Sequence, residues 1–270
     1  MKLRHLILGS LFFTAPAFSQ TASIQGSDTL AGYISDIIVA SGLDKKLVYQ
    51  GGGSGLGETA LVAKTQGLAP MSRAMKPELL TKGQNAGLKI EGYVVGLDGV
   101  GLFVNKSNAL QSLTIDAVKK IYSCEVTNWN QVGGPNLAIT VYRRNDNSGT
   151  TDAFKSLVGI KSFGACVKVV AETSDIAAIT SSEVTAVGYS GQAAIRPNNR
   201  ELAIAKDAAS RAFLPTPANI RNSSYPLSRS LYVYAAVNTL SAAERILLDN
   251  ILDRSFSDPI LQDNNFITVD

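Results

Sequence analysis

The sequence has little histidine, cysteine or tryptophan: one, two and one residue, respectively, among 270. So few imidazole and thiol groups leave little means of building a zinc or iron site. A formal net charge of +3 is too small to indicate nucleic-acid binding. With 45% hydrophobic residues and 23 glycines, the composition excludes collagen-like and disordered chains, and the length allows one large domain or two smaller ones.

The first nineteen residues have the layout of a cleavable secretory signal peptide. Lys2 and Arg4 supply a basic start, residues 6–13 an apolar stretch, and residues 15–19 small side chains for cleavage before Gln20. The apolar stretch is far shorter than the roughly 20 residues that span a bilayer as a helix. An N-terminal membrane anchor is therefore the less favoured alternative.

Removal of that segment would also take away His5 and lower the net charge from +3 to +1. A mature chain without histidine excludes Ser-His-Asp and Cys-His catalysis and histidine-ligated metals. In an oxidising compartment, an even pair of cysteines is more often bridged than free. We therefore expect a disulfide between Cys124 and Cys166; two buried, unpaired thiols are the alternative.

Short β-rich runs alternate with helical patterns, which is typical of an α/β fold. In the N-terminal part we expect strands and helices in alternation, at residues 23–25, 28–40, 46–50, 56–65 and 68–71. Near the C-terminus, residues 242–254 predict an amphipathic helix with Ile246, Leu247 and Ile251 on one face.

Two long extended segments, residues 93–105 and 230–237, flank a central stretch with its own strands and helices. A chain that crosses twice between two lobes would have this pattern. Two core strands of one sheet would have it equally well.

Three segments share one design, in which a β-rich run is followed by a turn of small residues and then by a helix: residues 26–30, 51–55 and 147–151. The first-turn amides of each helix lack intrahelical acceptors, and the helix dipole is positive there. Together with nearby hydroxyls, such helix starts suit a tetrahedral oxyanion. The alternative is that Ser27, Ser54 and Ser148 only cap their own helices.

The glycine run does not indicate a nucleotide cofactor. Residues 52–59 have the glycine spacing of a P-loop, but Glu58 stands where a lysine must meet the phosphates. Residues 55–60 match G-x-G-x-x-A, yet no acid follows at the end of a strand to hold a ribose. We expect neither a cofactor nor a metal.

Two arginines are candidates for the counter-charge of an anion. Arg144 precedes the third helix start and could bind an oxyanion through two N–H groups while Asp146 holds its guanidinium. Its neighbour Arg143 is better explained as a surface charge. Arg73 is the second candidate, with a surface or interlobe ion pair as its alternative.

The motifs resemble those of the phosphate-binding proteins of bacterial ABC-type phosphate uptake. The resemblance extends over nearly all of the chain after the signal peptide and includes the segments at 26–29, 51–55, 71–73, 121–123, 128–129, 144–150, 188–189 and 225–229. The stretch from Arg144 to Thr150 is the most specific element.

The resemblance implies an α/β, two-lobed periplasmic binding fold of type II, with two sheets flanked by helices and joined by two crossing strands. Lobe 1 would comprise residues 20–97 and 231–270, and lobe 2 residues 98–230. The family's phosphate donors correspond to Thr29, the Leu30 amide, Ser54, Arg144, Ser148, the Gly149 amide and Thr150, with Asp146 bracing the arginine.

One position departs from the family pattern. The best-known members have an aspartate after the serine that corresponds to Ser72, where it accepts the proton of hydrogen phosphate. This chain has Arg73 there, which we expect among the ligands. An acceptor-only carboxylate is what rejects a fully deprotonated anion. Asp28 is a candidate for that part, and an acid that only stabilises a helix start is its favoured alternative.

We therefore expect a monomeric periplasmic protein that binds inorganic phosphate and passes it to the permease of an inner-membrane ABC transporter, without nucleic acid. Another tetrahedral oxyanion, such as sulfate or molybdate, is the alternative ligand. A phosphate-ester hydrolase with Ser54 or Ser148 as nucleophile is disfavoured, because no histidine or carboxylate cluster would activate it. An adhesion or structural protein of the same fold would bind no small anion.

Overall fold

The computed structural model describes residues 21–191 and 195–269. The expected signal peptide, with His5, lies outside the described residues. Strands and helices alternate along the chain, which confirms the α/β class. Within the described ranges, no helix is both long and apolar enough to cross a membrane.

The strands are β1 Ala22–Gly26, β2 Leu47–Gly52, β3 Leu68–Met71, β4 Ile90–Gly99, β5 Gly101–Asn105, β6 Ser112–Thr114, β7 Thr140–Arg144, β8 Lys168–Val170, β9 Ala186–Ser190, β10 Asn199–Glu201, β11 Ala203–Ala205 and β12 Ser228–Ala236. The α-helices are α1 Ala31–Ala40, α2 Ser54–Val62, α3 Pro77–Asn85, α4 Ile115–Tyr122, α5 Gly149–Val158, α6 Thr173–Ser182, α7 Pro217–Arg221, α8 Ala242–Leu252 and α9 Arg254–Asp263. Two 3-10 turns cover Asp28–Leu30 and Trp129–Val132.

The strands of the described chain are arranged in a three-stranded sheet, a five-stranded sheet and two parallel pairs. The three-stranded sheet has the order β3-β12-β4 and is antiparallel. The five-stranded sheet has the order β10-β5-β9-β7-β8, in which β7 runs parallel to both of its neighbours. The parallel pairs are β1-β2 and β11-β6.

Two hydrophobic cores meet at one end of the strand pair β4 and β12. Val95 belongs to the core packed around β1, α1 and α8, whereas Val100 belongs to the core around β5, β9, α4 and α5. On the returning strand, Leu227 lies in the second core and Leu231 in the first. Both extended segments therefore pass from one core to the other, side by side. Near the C-terminus, Ile267 packs back onto the second core.

The buried face of helix α8 differs from the face that the sequence predicted. Ile246 is 45% exposed, whereas Leu247, Leu248 and Ile251 are buried. The expectation for Ile246 was wrong because a step of one residue turns the helix by about 100°, which carries it away from the face centred on Leu247 and Ile251. The helix also ends at Leu252, and the Asp253 side chain caps the start of α9.

The expected disulfide between Cys124 and Cys166 is present and closes a loop with a sequence separation of 42. Cys124 follows α4, and Cys166 precedes β8. The bridge therefore ties a helix of the second core to an edge strand of the five-stranded sheet.

Replacing both cysteines by serine should lower the free energy of unfolding by about 4 kcal/mol, because the unfolded chain regains the freedom of the closed loop. Denaturant unfolding of the two proteins without reductant measures the difference. Added reductant should weaken the parent protein and leave the double-serine variant unchanged. Equal unfolding midpoints in the absence of reductant would contradict this account.

Candidate functional site

The three helix starts singled out in the sequence meet where the two cores face each other. The hydroxyl oxygens of Thr29 and Thr150 are 2.9 Å apart, although 121 positions separate these residues. The Gly55 amide donates to the Asn147 carbonyl at 3.5 Å. A Cβ on Gly53, whose φ is +102°, would lie 2.1 Å from the same carbonyl oxygen, so only glycine permits this approach.

The capping alternative applies to one of the three serines. Ser148 caps α5 by accepting from the Thr151 amide at 3.4 Å. Ser54 is instead the first residue of α2, and its hydroxyl accepts from the Ser72 amide at 3.1 Å. The buried Ser27 hydroxyl has no hydrogen-bond partner among the described residues. The hydroxyls of Ser27 and Ser54 are therefore not used to cap their own helices.

Ser54 and Ser72 together press against the start of α5. A Cβ on Gly149 would lie 2.0 Å from the Ser54 hydroxyl and 2.5 Å from that of Ser72. The close approach of backbone and hydroxyls at Gly149 therefore requires glycine.

Arg144 ends β7 and is buried, with 4% of its side chain exposed. Its Nη2 donates to Asp28 Oδ2 at 2.9 Å and its Nη1 to the Thr173 hydroxyl at 2.5 Å. Its buried Nε has no hydrogen-bond partner in the described part of the chain. Asp28 Oδ1 in turn accepts from the Gly52 amide at 2.7 Å. Asp28 thus joins the first two helix starts to the arginine of the third.

The expectation that Asp146 braces Arg144 is not met in the structure. Asp146 is 74% exposed and accepts from Arg143 Nη1 at 2.7 Å. The three-residue spacing brings this pair together within the turn, and the Arg143 guanidinium also lies over the Phe163 ring at 4.7 Å. Asp28, rather than Asp146, is the carboxylate that holds Arg144.

The Leu30 amide and Arg73 also differ from their expected roles. The Leu30 N–H closes the 3-10 turn by donating to the Ser27 carbonyl at 3.0 Å, so it is already used within its own turn. Arg73 donates to both carboxylate oxygens of the buried Glu58, at 2.7 and 3.0 Å, and to Asp152 at 2.8 Å. Because Asp152 belongs to α5, Arg73 forms an ion pair between the two cores, which agrees with the ion-pair alternative for this residue.

Sequence reasoning missed Arg229 and Asp98. Arg229 lies opposite Asp98 in the β4-β12 ladder, and its guanidinium donates to Asp98, to the Thr150 hydroxyl at 3.0 Å and to the Thr29 hydroxyl at 3.5 Å. A signal was available: counting back by two from the apolar Val233 and Leu231 places Arg229 on the buried face of the strand.

The buried arginines of the site each have a carboxylate partner, so their charges are largely compensated. Arg144 pairs with Asp28, Arg229 with Asp98, and Arg73 with Glu58 and Asp152. An anion here would therefore be bound mainly by hydroxyl groups and by the first-turn amides of α5. The donors come from several directions, as a small tetrahedral oxyanion requires.

Tyr49 stabilises the first helix start through a side-chain hydrogen bond. Its hydroxyl donates to the Ser27 carbonyl at 2.8 Å. Burial, with a smaller contribution from Asp28, raises the pKa of Tyr49 well above its usual range. The hydroxyl therefore stays protonated and remains a donor at neutral pH. In the described segments, no group of three or more metal-ligating side chains could hold a metal ion.

Comparison with known proteins gives consistent matches. A family profile described as a PBP superfamily domain matches residues 14–243. Phosphate-binding protein PstS of Pseudomonas aeruginosa is 29% identical over 273 aligned positions, which cover 92% of this chain and 83% of that protein.

Two solved structures show the same fold. A Clostridium perfringens substrate-binding protein assigned to phosphate ABC transport, solved with bound phosphate, has a TM-score of 0.81 at 23% identity and covers 93% of this chain and 100% of its own. A Vibrio cholerae ABC-type phosphate transport receptor has a TM-score of 0.75 at 23% identity, with 92% and 99% covered. These structures establish the fold, an α/β arrangement of the type II periplasmic-binding kind.

Replacing Arg73 by glutamine should lower the free energy of unfolding by about 3 kcal/mol, because Glu58 would keep a buried charge without its bidentate partner. Denaturant unfolding measures this loss. Arg143→Gln is the control for an arginine whose partner is exposed: Asp146 is solvated when the arginine is lost, so we expect the smaller loss of the two. Equal losses in the two variants would mean that Glu58 does not depend on Arg73.

Proposed function

Because the chain belongs to the PBP superfamily, we propose that it is a periplasmic binding protein that holds inorganic phosphate between its two cores. The observation that carries this proposal is the meeting of Thr29, Ser54, Gly149 and Thr150 across the interface, beside the buried Arg144. A relative that aligns with 92% of the chain is a phosphate-binding protein by name, which supports the choice of phosphate.

The proposed lobes are residues 20–97 with 231–270, and residues 98–230. Thr29 and Ser54 would bind the anion from the first lobe, and Arg144 with Ser148, Gly149 and Thr150 from the second. A ligand that contacts both lobes has more donors available in the closed form than in the open form. It therefore shifts the population toward closure about the β4-β12 strand pair.

The proposed cellular role is delivery of phosphate to an inner-membrane ABC importer, whose permease would read the closed form. A monomer secreted through the signal peptide at residues 1–19 fits this role. We propose binding without catalysis, since Asp28, the carboxylate of the first helix start, is already paired with Arg144 and does not activate a serine.

Asp28 is proposed to supply the acceptor for the proton of hydrogen phosphate, because Arg73 is committed to Glu58 and Asp152. A carboxylate offers about four acceptor positions on its two oxygens. The Gly52 amide and Arg144 each donate to one oxygen of Asp28, so further acceptor capacity remains.

Phosphate and arsenate should raise the thermal unfolding midpoint of the protein, whereas sulfate and molybdate at equal concentration should not. A ligand at about 100 times its Kd adds about 2.7 kcal/mol to the free energy of unfolding when it binds only the native state. A midpoint raised by sulfate or molybdate alone would favour the alternative oxyanion. A midpoint unaffected by all four would refute anion binding, and sustained turnover of an aryl phosphate would favour the hydrolase.

Arg144→Ala should weaken phosphate binding by about 2–5 kcal/mol, because the donors of this buried guanidinium are lost and the charge of Asp28 is left without its partner. Calorimetric titration with phosphate measures the change. Arg143→Ala is the matched control, since the neighbouring guanidinium pairs with the exposed Asp146, and its affinity should stay close to that of the parent. An Arg144→Ala affinity within about threefold of the parent would exclude this arginine from the site.

A further inference from the structure

We infer that Arg229 is a further residue of the anion site, a positioning residue that orients the hydroxyls of Thr29 and Thr150 toward the ligand; this inference rests on the proposed phosphate binding. Arg229 lies on none of the three helix starts and would not touch the anion itself. Its effect on binding passes through the two threonines.

The location of Arg229 suits this role, because it lies on the strand pair that joins the two cores. Its partner across the ladder is Asp98, one residue before the end of β4. Only 4% of the Arg229 side chain and none of the Asp98 side chain is exposed. A charged pair this deeply buried needs hydrogen bonds to its remaining polar groups.

Asp98 fixes the plane of the guanidinium. Its Oδ2 accepts from Arg229 Nε at 2.9 Å and from Nη2 at 2.5 Å, and its Oδ1 accepts from the Gly99 amide at 2.8 Å. Because Asp98 holds Nε and Nη2 of the guanidinium, Nη1 is directed at the Thr150 hydroxyl at 3.0 Å, and Nη2 lies 3.5 Å from the Thr29 hydroxyl. A single rigid group thus reaches a hydroxyl of each core.

The contact with Arg229 limits how the hydroxyl protons of Thr29 and Thr150 can be arranged. A guanidinium only donates hydrogen bonds, so both threonine oxygens accept from Arg229. Each hydroxyl keeps one proton, and the 2.9 Å contact between Thr29 and Thr150 can hold only one of the two. The other proton has to point elsewhere, and an anion in the cleft is an acceptor for it. By occupying an acceptor position on each oxygen, Arg229 restricts the directions in which this remaining proton can point.

A brace that merely strengthens the strand pair is the competing account, and it makes a different prediction. Such a brace would affect folding stability in every background, with no dependence on the threonine hydroxyls. Arg254 offers a matched control for it, since this arginine donates to the carbonyls of Val94 and Val95 on β4, away from the threonines.

The experiment is a double-mutant cycle on phosphate affinity, measured by calorimetry on folded proteins. Arg229→Gln should weaken binding about 10- to 100-fold, the range expected for hydrogen bonds from a charged group. In a Thr150→Val background, which lacks the better-placed hydroxyl, the same change should cost much less. Arg229→Lys keeps the charge without the planar fork and should also bind weakly. Arg254→Gln should bind like the parent.

Each outcome separates the inference from the proposed function on which it rests. A parent protein that does not bind phosphate would overturn both. A parent that binds, with Arg229→Gln and Arg229→Lys within about threefold of it, would overturn only the inference. An equal loss from Arg229→Gln with and without the Thr150 hydroxyl would overturn the route through threonine. If Arg229→Gln does not fold, the comparison is made with Arg229→Lys in the same two backgrounds.

Discussion

The pairing of β4 with β12 is the constraint on which the rest of the structure depends. The ladder runs from the Ser228–Gly99 pair to the Ala236–Ile90 pair, and at one end of it both strands leave the first core for the second. The outgoing and returning strands are bonded to each other, and the C-terminal segment at Ile267 reaches the second core beside them, so the two cores are connected at one place. Three helix starts that are far apart in the sequence can then face one another, and the cleft between them lies beside the place where the strands cross.

The cleft concentrates arginines without building up a net positive charge. Each buried guanidinium is paired with an acid, and two of the pairs, Arg144 with Asp28 and Arg73 with Asp152, join the two cores. Buried ion pairs recover little more than the cost of removing their charges from water. Their contribution here is geometric: they fix the directions in which N–H groups and hydroxyls point. An anion that enters such a site meets oriented dipoles, which need little rearrangement.

Features that depend on neighbouring residues could be predicted from the sequence, whereas contacts between distant residues could not. The strand at Leu68–Met71 and the helix start at Ser148 follow from short-range patterns and capping chemistry, and the disulfide follows from composition and compartment. The partner of a charged side chain does not follow in this way. Asp146 is close to Arg144 in the chain and Asp28 is 116 positions away, yet Asp28 is the partner.

The role of Arg73 also could not be predicted from neighbouring residues in the sequence. Nothing near it in the sequence shows that Glu58, one turn into α2, is buried and requires a bidentate donor. The resemblance to phosphate-binding proteins located the right segment, but the role of the residue was set by a packing contact. Arg229 was overlooked for a related reason: its place in a β-strand could be read from alternation, whereas its neighbours Thr29 and Thr150 are brought to it only by the fold.

Because Asp28, and not Asp146, is the partner of Arg144, this ion pair depends on how the two cores are arranged. Asp28 belongs to the first core and Arg144 to the second, so the brace of the arginine forms only when the cores come together. Separation of the cores would leave the guanidinium with the Thr173 hydroxyl and with the Glu172 carboxylate, which lies 4.0 Å away, and would leave Asp28 with the Gly52 amide. The full donor geometry and the closed arrangement are then one state. Under the proposed function, an anion that requires this geometry binds the closed form more tightly than the open form, and this difference in affinity would couple binding to closure.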